Sequence, residues 1–288
     1  MMKLRRLDDV MGGTALHPIV RSDLEAARTV VLEGQHTPQV RRRLLRVVGE
    51  LSQLAGWVYA DAGHYPQARQ TYLDGVSAAN EAGDRPLAGQ LLSTLSYLIT
   101  NTENPRDAFL LARSALKGAA RQAPPVVRAL LGERVAWAAA NFGDAEASRR
   151  ALAEVDDEFD RRRPEDEEPD WTYWLNRDEV DVMRARCAVR LGDAVAAENV
   201  LSPVMERYPA DRAREAALYR SWLAEAYARS GNAASARTTL DQVRAVAAEA
   251  GSIRLEQRVS EVEVIITDSR RTSDSHRTNH DGRNRRPS

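Results

Sequence analysis

The stretch Glu50–Ala82, ELSQLAGWVYADAGHYPQARQTYLDGVSAANEA, decides the fold of this chain. It contains two segments of helical character separated by Gly63, a residue that ends a helix at little cost because it accepts a positive φ. Pro66 follows, and proline suits the first turn of a helix, where an N–H would have no partner in any case. Small residues at Gly56 and Ala68 allow two backbones to approach closely. The stretch therefore predicts two antiparallel helices joined by a tight turn.

Weaker copies of this helical hairpin recur along the chain. The small residue of the second helix returns at spacings of 40, 40, 49 and 39 residues, at Ala68, Ala108, Ser148, Ala197 and Ala236. The turn position is occupied by Gly63, Glu103, Gly143, Gly192 and Gly231. Regular copies of one supersecondary unit predict an array that grows in one dimension, with each hairpin packed on its neighbours.

The alternation of small and large residues in the first copy resembles the tetratricopeptide repeat. Ser52 departs from the family, which usually has Trp or Leu at that position, and a period near 40 predicts helices longer than those of the usual repeat of about 34 residues. The resemblance implies an all-α fold, a tetratricopeptide-like superhelical array of about five helical hairpins with a helix at each end.

Composition changes along the chain predict five segments. These are a flexible lead-in over 1–16, the N-terminal half of the array over 17–159, an acidic surface loop over 160–170 (DRRRPEDEEPD), the C-terminal half over 171–266, and a disordered basic tail over 267–288. The last helix, at about 253–266, contains EVEVI, which also alternates like a strand.

Length and charge exclude several classes of protein. A formal net charge of −1 over 288 residues gives no overall field toward nucleic acid or anionic lipid. A single cysteine, Cys187, excludes an internal disulfide and suits a reducing compartment. No apolar run approaches the roughly 18 residues that span a bilayer. We therefore expect a soluble, cytoplasmic protein that is not associated with a membrane.

One inward-facing position of the first helices is aromatic in three successive copies, at Trp57, Tyr97 and Trp137. One turn later the same helices carry Asp61, Asn101 and Asn141, and one turn earlier they carry Gln53, Ser93 and Glu133. Rings that stack and amides that bond a guest backbone predict a partner-binding surface for a protein or peptide.

Two features limit this interpretation. In the fourth and fifth copies the inward position is Arg186 and then Glu225, so the aromatic ladder ends at the acidic loop. The alternative is that the rings pack between adjacent hairpins, because each aromatic side chain buries about 150–250 Å² and leaving three exposed forfeits several kcal/mol.

The residues give no indication of catalysis. The five histidines are His17, His36, His64, His276 and His280, and none has a partner at a spacing typical of catalysis or metal binding, apart from the i, i+4 pair in the tail. Phosphate-cradling glycine loops and nucleophile elbows are lacking. The sequence predicts a protein that is not an enzyme and that uses no cofactor or metal.

A second resemblance concerns the whole array. The lead-in RLDDVMGGTALHPIV, with LAGW at 54–57, DAG at 61–63 and AGDRP at 82–86, resembles bacterial lambda-repressor-like (XRE-type) helix-turn-helix transcriptional regulators from about Leu7 to Ile266. Only about 16 residues precede the first predicted helix, so the helix-turn-helix domain of that family is not represented. The resemblance implies a regulatory region that senses a peptide or small molecule, or that mediates association.

Two functions of different classes remain open. The first is a non-catalytic regulatory module that binds a protein or peptide partner on the inner face of the array, or a second copy of the chain as a homodimer. The second is a transcriptional regulator, gated by a peptide or small molecule, that contacts DNA through the arginines of Arg41–Arg46 and the tail, or through a separate helix-turn-helix.

Overall fold

The computed structural model describes residues 1–10, 13–102, 104–209, 212–250 and 253–281, and within these ranges every regular element is helical. The predicted all-α, tetratricopeptide-like fold is confirmed. The helices are α1 Met2–Val10, α2 Gly13–Glu33, α3 Pro38–Asp61, α4 Tyr65–Ala82, α5 Arg85–Thr102, α6 Pro105–Ala119, α7 Pro125–Phe142, α8 Ala145–Asp160, α9 Arg177–Arg190, α10 Ala194–Arg207, α11 Ala213–Arg229, α12 Ala233–Ala250 and α13 Ile253–Asp281, with a 3₁₀ turn at Asp170–Thr172. No helix in the described ranges has both the length and the apolar character needed to cross a bilayer.

The repeat phase read from the sequence is also the phase of the packing. The five small residues of the second helices, Ala68, Ala108, Ser148, Ala197 and Ala236, are all fully buried. Gly63, Gly143, Gly192 and Gly231 have φ values between +78° and +86°, as expected of glycines that end a helix. The fifth predicted turn residue, Glu103, lies outside the described residues. The hairpins therefore follow one pattern along the chain.

Contacts within the chain define two compact units, Met1–Leu191 and Gly192–Ser288. In the first unit α3, α5 and α7 each pair with the helix that follows them. The first helices α3, α5, α7 and α9 contact one another in succession and form one surface, which we call the first-helix face. The sequence predicts a division at 160–170, but Trp171, Leu175 and Val180 pack into the core of the first unit, so the boundary falls at the Gly192 turn.

The second unit contains α10 to α13. α11 pairs with α12, and α13 packs against both of them. Leu255, Val259, Val262 and Ile266 of α13 are buried in the core of this unit, so EVEVI is helical. The predicted helix ends near Ile266, whereas α13 continues to Asp281 through a segment without glycine or proline. The rest of the predicted tail, 282–288, lies outside the described residues.

The lead-in is more ordered than predicted. Residues Met2–Val10 form α1, and α2 begins at Gly13 rather than at His17. Leu16 is fully buried, and Met1 and Leu4 pack on the same cluster of core residues. The described part of the segment predicted as a flexible lead-in is thus largely helical, and two apolar side chains and a buried arginine attach it to the rest of the first unit.

The acidic segment 160–170 runs without a regular helix until the 3₁₀ turn, but it has internal contacts. The Arg162 guanidinium donates to both carboxylate oxygens of Glu168, at 2.6 and 2.7 Å, and to the Leu175 carbonyl. Trp171, directly after this segment, is 4% exposed. The acidic segment is thus followed by a tryptophan that is buried in the core of the first unit, just before α9.

Candidate functional site

The three predicted rings form a continuous stack on the first-helix face. The ring centroids of Trp57 and Tyr97 lie 6.3 Å apart, and those of Tyr97 and Trp137 also lie 6.3 Å apart. Interplanar angles of 30° and 36° are those of tilted, offset rings, an arrangement that aromatic pairs favour over a face-to-face sandwich. Aromatic side chains that are 40 residues apart in the sequence therefore contact each other in adjacent hairpins.

Arginine side chains continue the stack where the aromatic residues end. The guanidinium of Arg186, at the same position in α9, lies 4.4 Å from the Trp137 ring centroid and donates a 2.7 Å hydrogen bond to the Tyr97 hydroxyl. Arg134 lies 4.8 Å above the Tyr97 ring, and Arg190 lies 5.8 Å from the Trp137 ring. The sequence predicted the end of the aromatic series correctly, but it did not indicate that cations would cover its last ring.

Exposure decreases along the stack. Trp57 and Tyr97 are half-buried, whereas Trp137 has no exposed surface, since α7 is flanked by α5 and α9 and Arg186 covers the ring. Trp137 therefore acts as packing between hairpins, as the alternative interpretation has it. The accessible part of the ladder is its α3–α5 end.

The row one turn after the rings contains two amides held in the same way. The Nδ2 of Asn101 donates to the Tyr97 carbonyl at 2.7 Å, and the Nδ2 of Asn141 donates to the Trp137 carbonyl at 2.8 Å. Because a carbonyl can only accept, these bonds orient each amide with its Oδ1 directed away from its own helix. Asn101 is exposed, Asn141 is half-buried, and Asp61, the third member of the row, is 6% exposed.

The row one turn before the rings is mostly closed. Ser93 is fully buried, and its hydroxyl donates to the Gln90 carbonyl of its own helix. Glu133 is 1% exposed, and its Oε1 accepts no hydrogen bond within the described structure. Gln53 is half-buried and accepts a hydrogen bond from Arg5. Of this row, only Gln53 keeps a partly exposed side chain.

A buried carboxyl, that of Glu133, lies among arginines at the α7–α9 end of the stack. Desolvation raises the pKa of the Glu133 carboxyl to about 8; repulsion by Glu179 adds to this rise, while attraction by Arg134 and Arg186 opposes it. At neutral pH this carboxyl is therefore mostly protonated, so it does not cancel the positive charge of the surrounding guanidinium groups. The α7–α9 end of the face consequently combines buried aromatic rings with arginines.

Residues of α1 reach the same face, and sequence reasoning did not find them. The Nη1 of Arg5 donates a 2.5 Å hydrogen bond to Gln53 Oε1, and its Nη2 lies 3.9 Å from Glu50 Oε2. The hydroxyl of Tyr173 donates to the Arg5 carbonyl at 3.5 Å. Arg5 is 6% exposed. Its partners lie 48 and 168 residues away in sequence, too far for any local pattern to indicate the contact.

In the second unit, the position that corresponds to the aromatic rings is Glu225, and side chains of the same unit surround it. Glu225 has no exposed surface, and its carboxylate accepts hydrogen bonds from Arg258 at 2.8 Å and from Arg229 at 2.9 Å. The Arg258 guanidinium also lies 3.9 Å from the Trp222 ring centroid. This network attaches α13 to α11 and leaves no open binding position at Glu225.

Other candidate residues have structural partners or form no cluster. Of the predicted DNA-contacting arginines, Arg41 pairs with Glu81 and Arg46 with Asp84. The His17 and His64 rings lie 6.0 Å apart, yet no group of three potential metal ligands occurs in the described ranges. Cys187 is buried in α9. These residues do not assemble a reactive centre.

Comparison with known proteins finds only low similarities, and these are to solved structures. No protein-family model and no curated protein match the chain. Among solved structures, the chain is similar to a Podosopora anserina putative kinesin light chain with nearly identical TPR-like repeats, at 18% identity and a TM-score of 0.35, covering 80% of this chain and 95% of that one. A form of that kinesin light chain with one residue substituted gives 18% identity and a TM-score of 0.37 over the same shares.

A circular tandem repeat protein with novel repeat topology matches at 17% identity and a TM-score of 0.23, over 93% of this chain and 67% of that chain. Because these structural similarities are low, the assignment of a tetratricopeptide-like repeat rests on the helices, turns and buried small residues described above.

Proposed function

We propose that this chain is a non-catalytic regulatory module that binds a peptide segment of a protein partner on the first-helix face. The observation that carries the proposal is the pair of oriented amides, Asn101 and Asn141, in the row that follows an aromatic stack whose Trp57 and Tyr97 rings are accessible. Each amide oxygen is positioned to accept an N–H from a guest backbone, and the rings of Trp57 and Tyr97 offer apolar area next to it.

The nine predicted site residues divide into two roles in this proposal. The contact residues are Gln53, Trp57, Tyr97, Asn101 and Asn141, which are exposed or half-buried. The supporting residues are Asp61, Ser93, Glu133 and Trp137, whose burial gives them the role of holding adjacent helices in register. A partner thus meets the α3–α5 end of the face together with the amide row.

The regulatory part of the proposal rests on sequence resemblance. The motifs at 54–57, 61–63 and 82–86 resemble XRE-type regulators, and a peptide-sensing or association role fits a binding face without catalytic groups. A free, buried Cys187 is compatible with a reducing cytoplasm. The direct DNA-binding alternative is weakened because Arg41 and Arg46 are already paired with carboxylates.

Selection of peptides from a displayed library on the immobilised full chain tests this function. We expect Asn101→Ala and Asn141→Ala each to weaken the selected peptide by about two- to tenfold, the value of one net hydrogen bond. Asn199→Ala, an exposed amide on α10, is the matched control and is expected to bind as the unaltered chain does. Trp57→Ala should weaken binding without unfolding the chain, because its ring is only half-buried.

Two results contradict this function. One is a selected peptide that binds the Asn101→Ala/Asn141→Ala double variant as tightly as the unaltered chain. The other is tight, sequence-selective binding of a DNA duplex at physiological salt, which supports the DNA-reading alternative instead.

A further inference from the structure

The helix α1 occupies one end of the first-helix face. It contacts Gln53, a residue of the row beside the aromatic stack, and Glu50, which lies one turn before Gln53 on α3. From the opposite side, the Tyr173 hydroxyl bonds the Arg5 carbonyl. The helix α1 is therefore held from two sides, by α3 at Gln53 and Glu50 and by the stretch of chain that leads into α9 at Tyr173.

The contact combines few apolar groups with one buried cation. Met1 and Leu4 are only partly buried, and Lys3, Arg6 and Leu7 are exposed. Arg5 is 6% exposed and directs its guanidinium to an amide oxygen and a carboxylate. A helix of nine residues with so little apolar burial is only weakly stabilised by its packing. The hydrogen bond and ion pair of Arg5 therefore determine much of where α1 binds.

The electrostatics of Glu50 agree with a position that receives a cation. Burial raises the pKa of this carboxyl, Asp170 and Asp84 raise it further, and Arg5 together with the amino-terminal charge lowers it. Removal of Arg5 leaves a half-buried carboxyl near two other acidic groups. A cation at this position opposes the effect of burial and of these two carboxylates, so it favours the charged form of Glu50.

We propose that α1 is an intramolecular ligand of the first-helix face, and that a protein partner displaces it with a segment whose own basic residue takes the place of Arg5 at Glu50 and Gln53. This inference rests on the proposed binding function. It adds that the partner segment carries a basic residue at this end of the face, and that α1 competes with the partner and so weakens its binding. Because α1 is tethered, a free peptide competes against an effective concentration on the order of millimolar.

The test uses the full chain and its own segment as the probe. A fluorescent synthetic peptide MMKLRRLDDV, the sequence of residues 1–10, is titrated by anisotropy against the unaltered chain, Arg5→Ala and Arg6→Ala. Arg5→Ala is expected to bind the peptide about ten- to a hundredfold more tightly than the unaltered chain, the range for a lost bond to a charged partner. Arg6→Ala, an exposed arginine in the same helix, is expected to bind as weakly as the unaltered chain.

Hydrogen–deuterium exchange provides a second readout in the same proteins. The amides of residues 2–10 should exchange faster in Arg5→Ala and at the original rate in Arg6→Ala. Glu50→Gln keeps the size of the side chain and removes its charge, so it should also release α1 while binding the peptide no better than the unaltered chain. Agreement between these variants excludes a general loss of folding as the cause.

Three results overturn the inference. The first is peptide binding that does not differ among the chains, and the second is exchange at residues 2–10 that Arg5→Ala leaves unchanged. The third is protection of α1 that rises with protein concentration together with a dimeric mass, which assigns α1 to the face of a second copy. Because the probe is the chain's own segment, these outcomes do not depend on the amide-row experiment, and either proposal can fail alone.

Discussion

Replacement of Glu133 by glutamine tests the buried electrostatics of the first-helix face. The folded-state pKa of this carboxyl is about 8, compared with an ordinary value of 4.5. Since the pKa is raised, the folded state binds more protons than the unfolded state between these values, and the stability of the chain falls as pH rises through this window. Each pH unit is worth about 1.4 kcal/mol, so the cost reaches about 5 kcal/mol above pH 8.

Glutamine has nearly the same shape and is neutral at every pH. The free energy of unfolding of Glu133→Gln should therefore be close to that of the unaltered chain near pH 4.5 and exceed it increasingly as pH rises to about 8. Urea unfolding followed by far-UV circular dichroism at several pH values measures this difference, in which the titration of all other groups cancels. Glu154→Gln, at an exposed carboxylate on α8, is the control and should give no such trend.

A difference between the two chains that stays constant over this pH window would refute the reasoning. So would a variant that is less stable than the unaltered chain at pH 8. Either result means that Glu133 is ionised in the folded protein, held by Arg134 and Arg186 more strongly than burial opposes it.

Two further predictions concern packing and reactivity. Gly56→Ala should destabilise the chain by about 1–3 kcal/mol in thermal or urea unfolding, because its Cβ would lie 2.4 Å from a ring atom of the buried Tyr72. Gly118→Ala is the control, since nothing lies within 4 Å of its Cβ, and it should stabilise the chain by about 0.5–1 kcal/mol. Equal effects of the two substitutions on the free energy of unfolding would contradict the close approach of α3 and α4. Cys187, whose thiol pKa is raised to about 12 by burial, should resist iodoacetamide in the folded chain and react in urea, as mass spectrometry can show; rapid labelling of the native protein would disprove the burial.

The repeat phase was predictable because it depends on local chemistry. Gly63 and its equivalents end helices through their own backbone conformation, and the small residues from Ala68 to Ala236 recur at the period of the hairpin. Once the phase was known, the contacts between Trp57, Tyr97 and Trp137 followed, since equivalent positions of adjacent hairpins must lie side by side.

The exposure of each site residue was not predictable in the same way. Trp57 and Trp137 have the same phase and the same side chain, yet one is half-buried and the other fully buried. The difference comes from Arg186 in α9, which follows an insertion between copies and packs on the Trp137 ring at 4.4 Å and on the Tyr97 ring at 5.5 Å. The order of α1 also escaped prediction, because Arg5 finds its partners through tertiary contacts with residues 48 and 168 positions away in sequence.

The decrease in exposure along the aromatic stack limits where a partner can bind. A guest cannot reach Trp137 without displacing Arg186 from its ring and from the Tyr97 hydroxyl, and that exchange would leave a buried guanidinium without its partners. In the proposed function, a guest therefore contacts the half-buried rings of Trp57 and Tyr97 and the amide row at Asn101 and Asn141. Arg5 of α1 reaches Gln53 at the Trp57 end of this surface, so α1 competes there with a partner that binds the same residue.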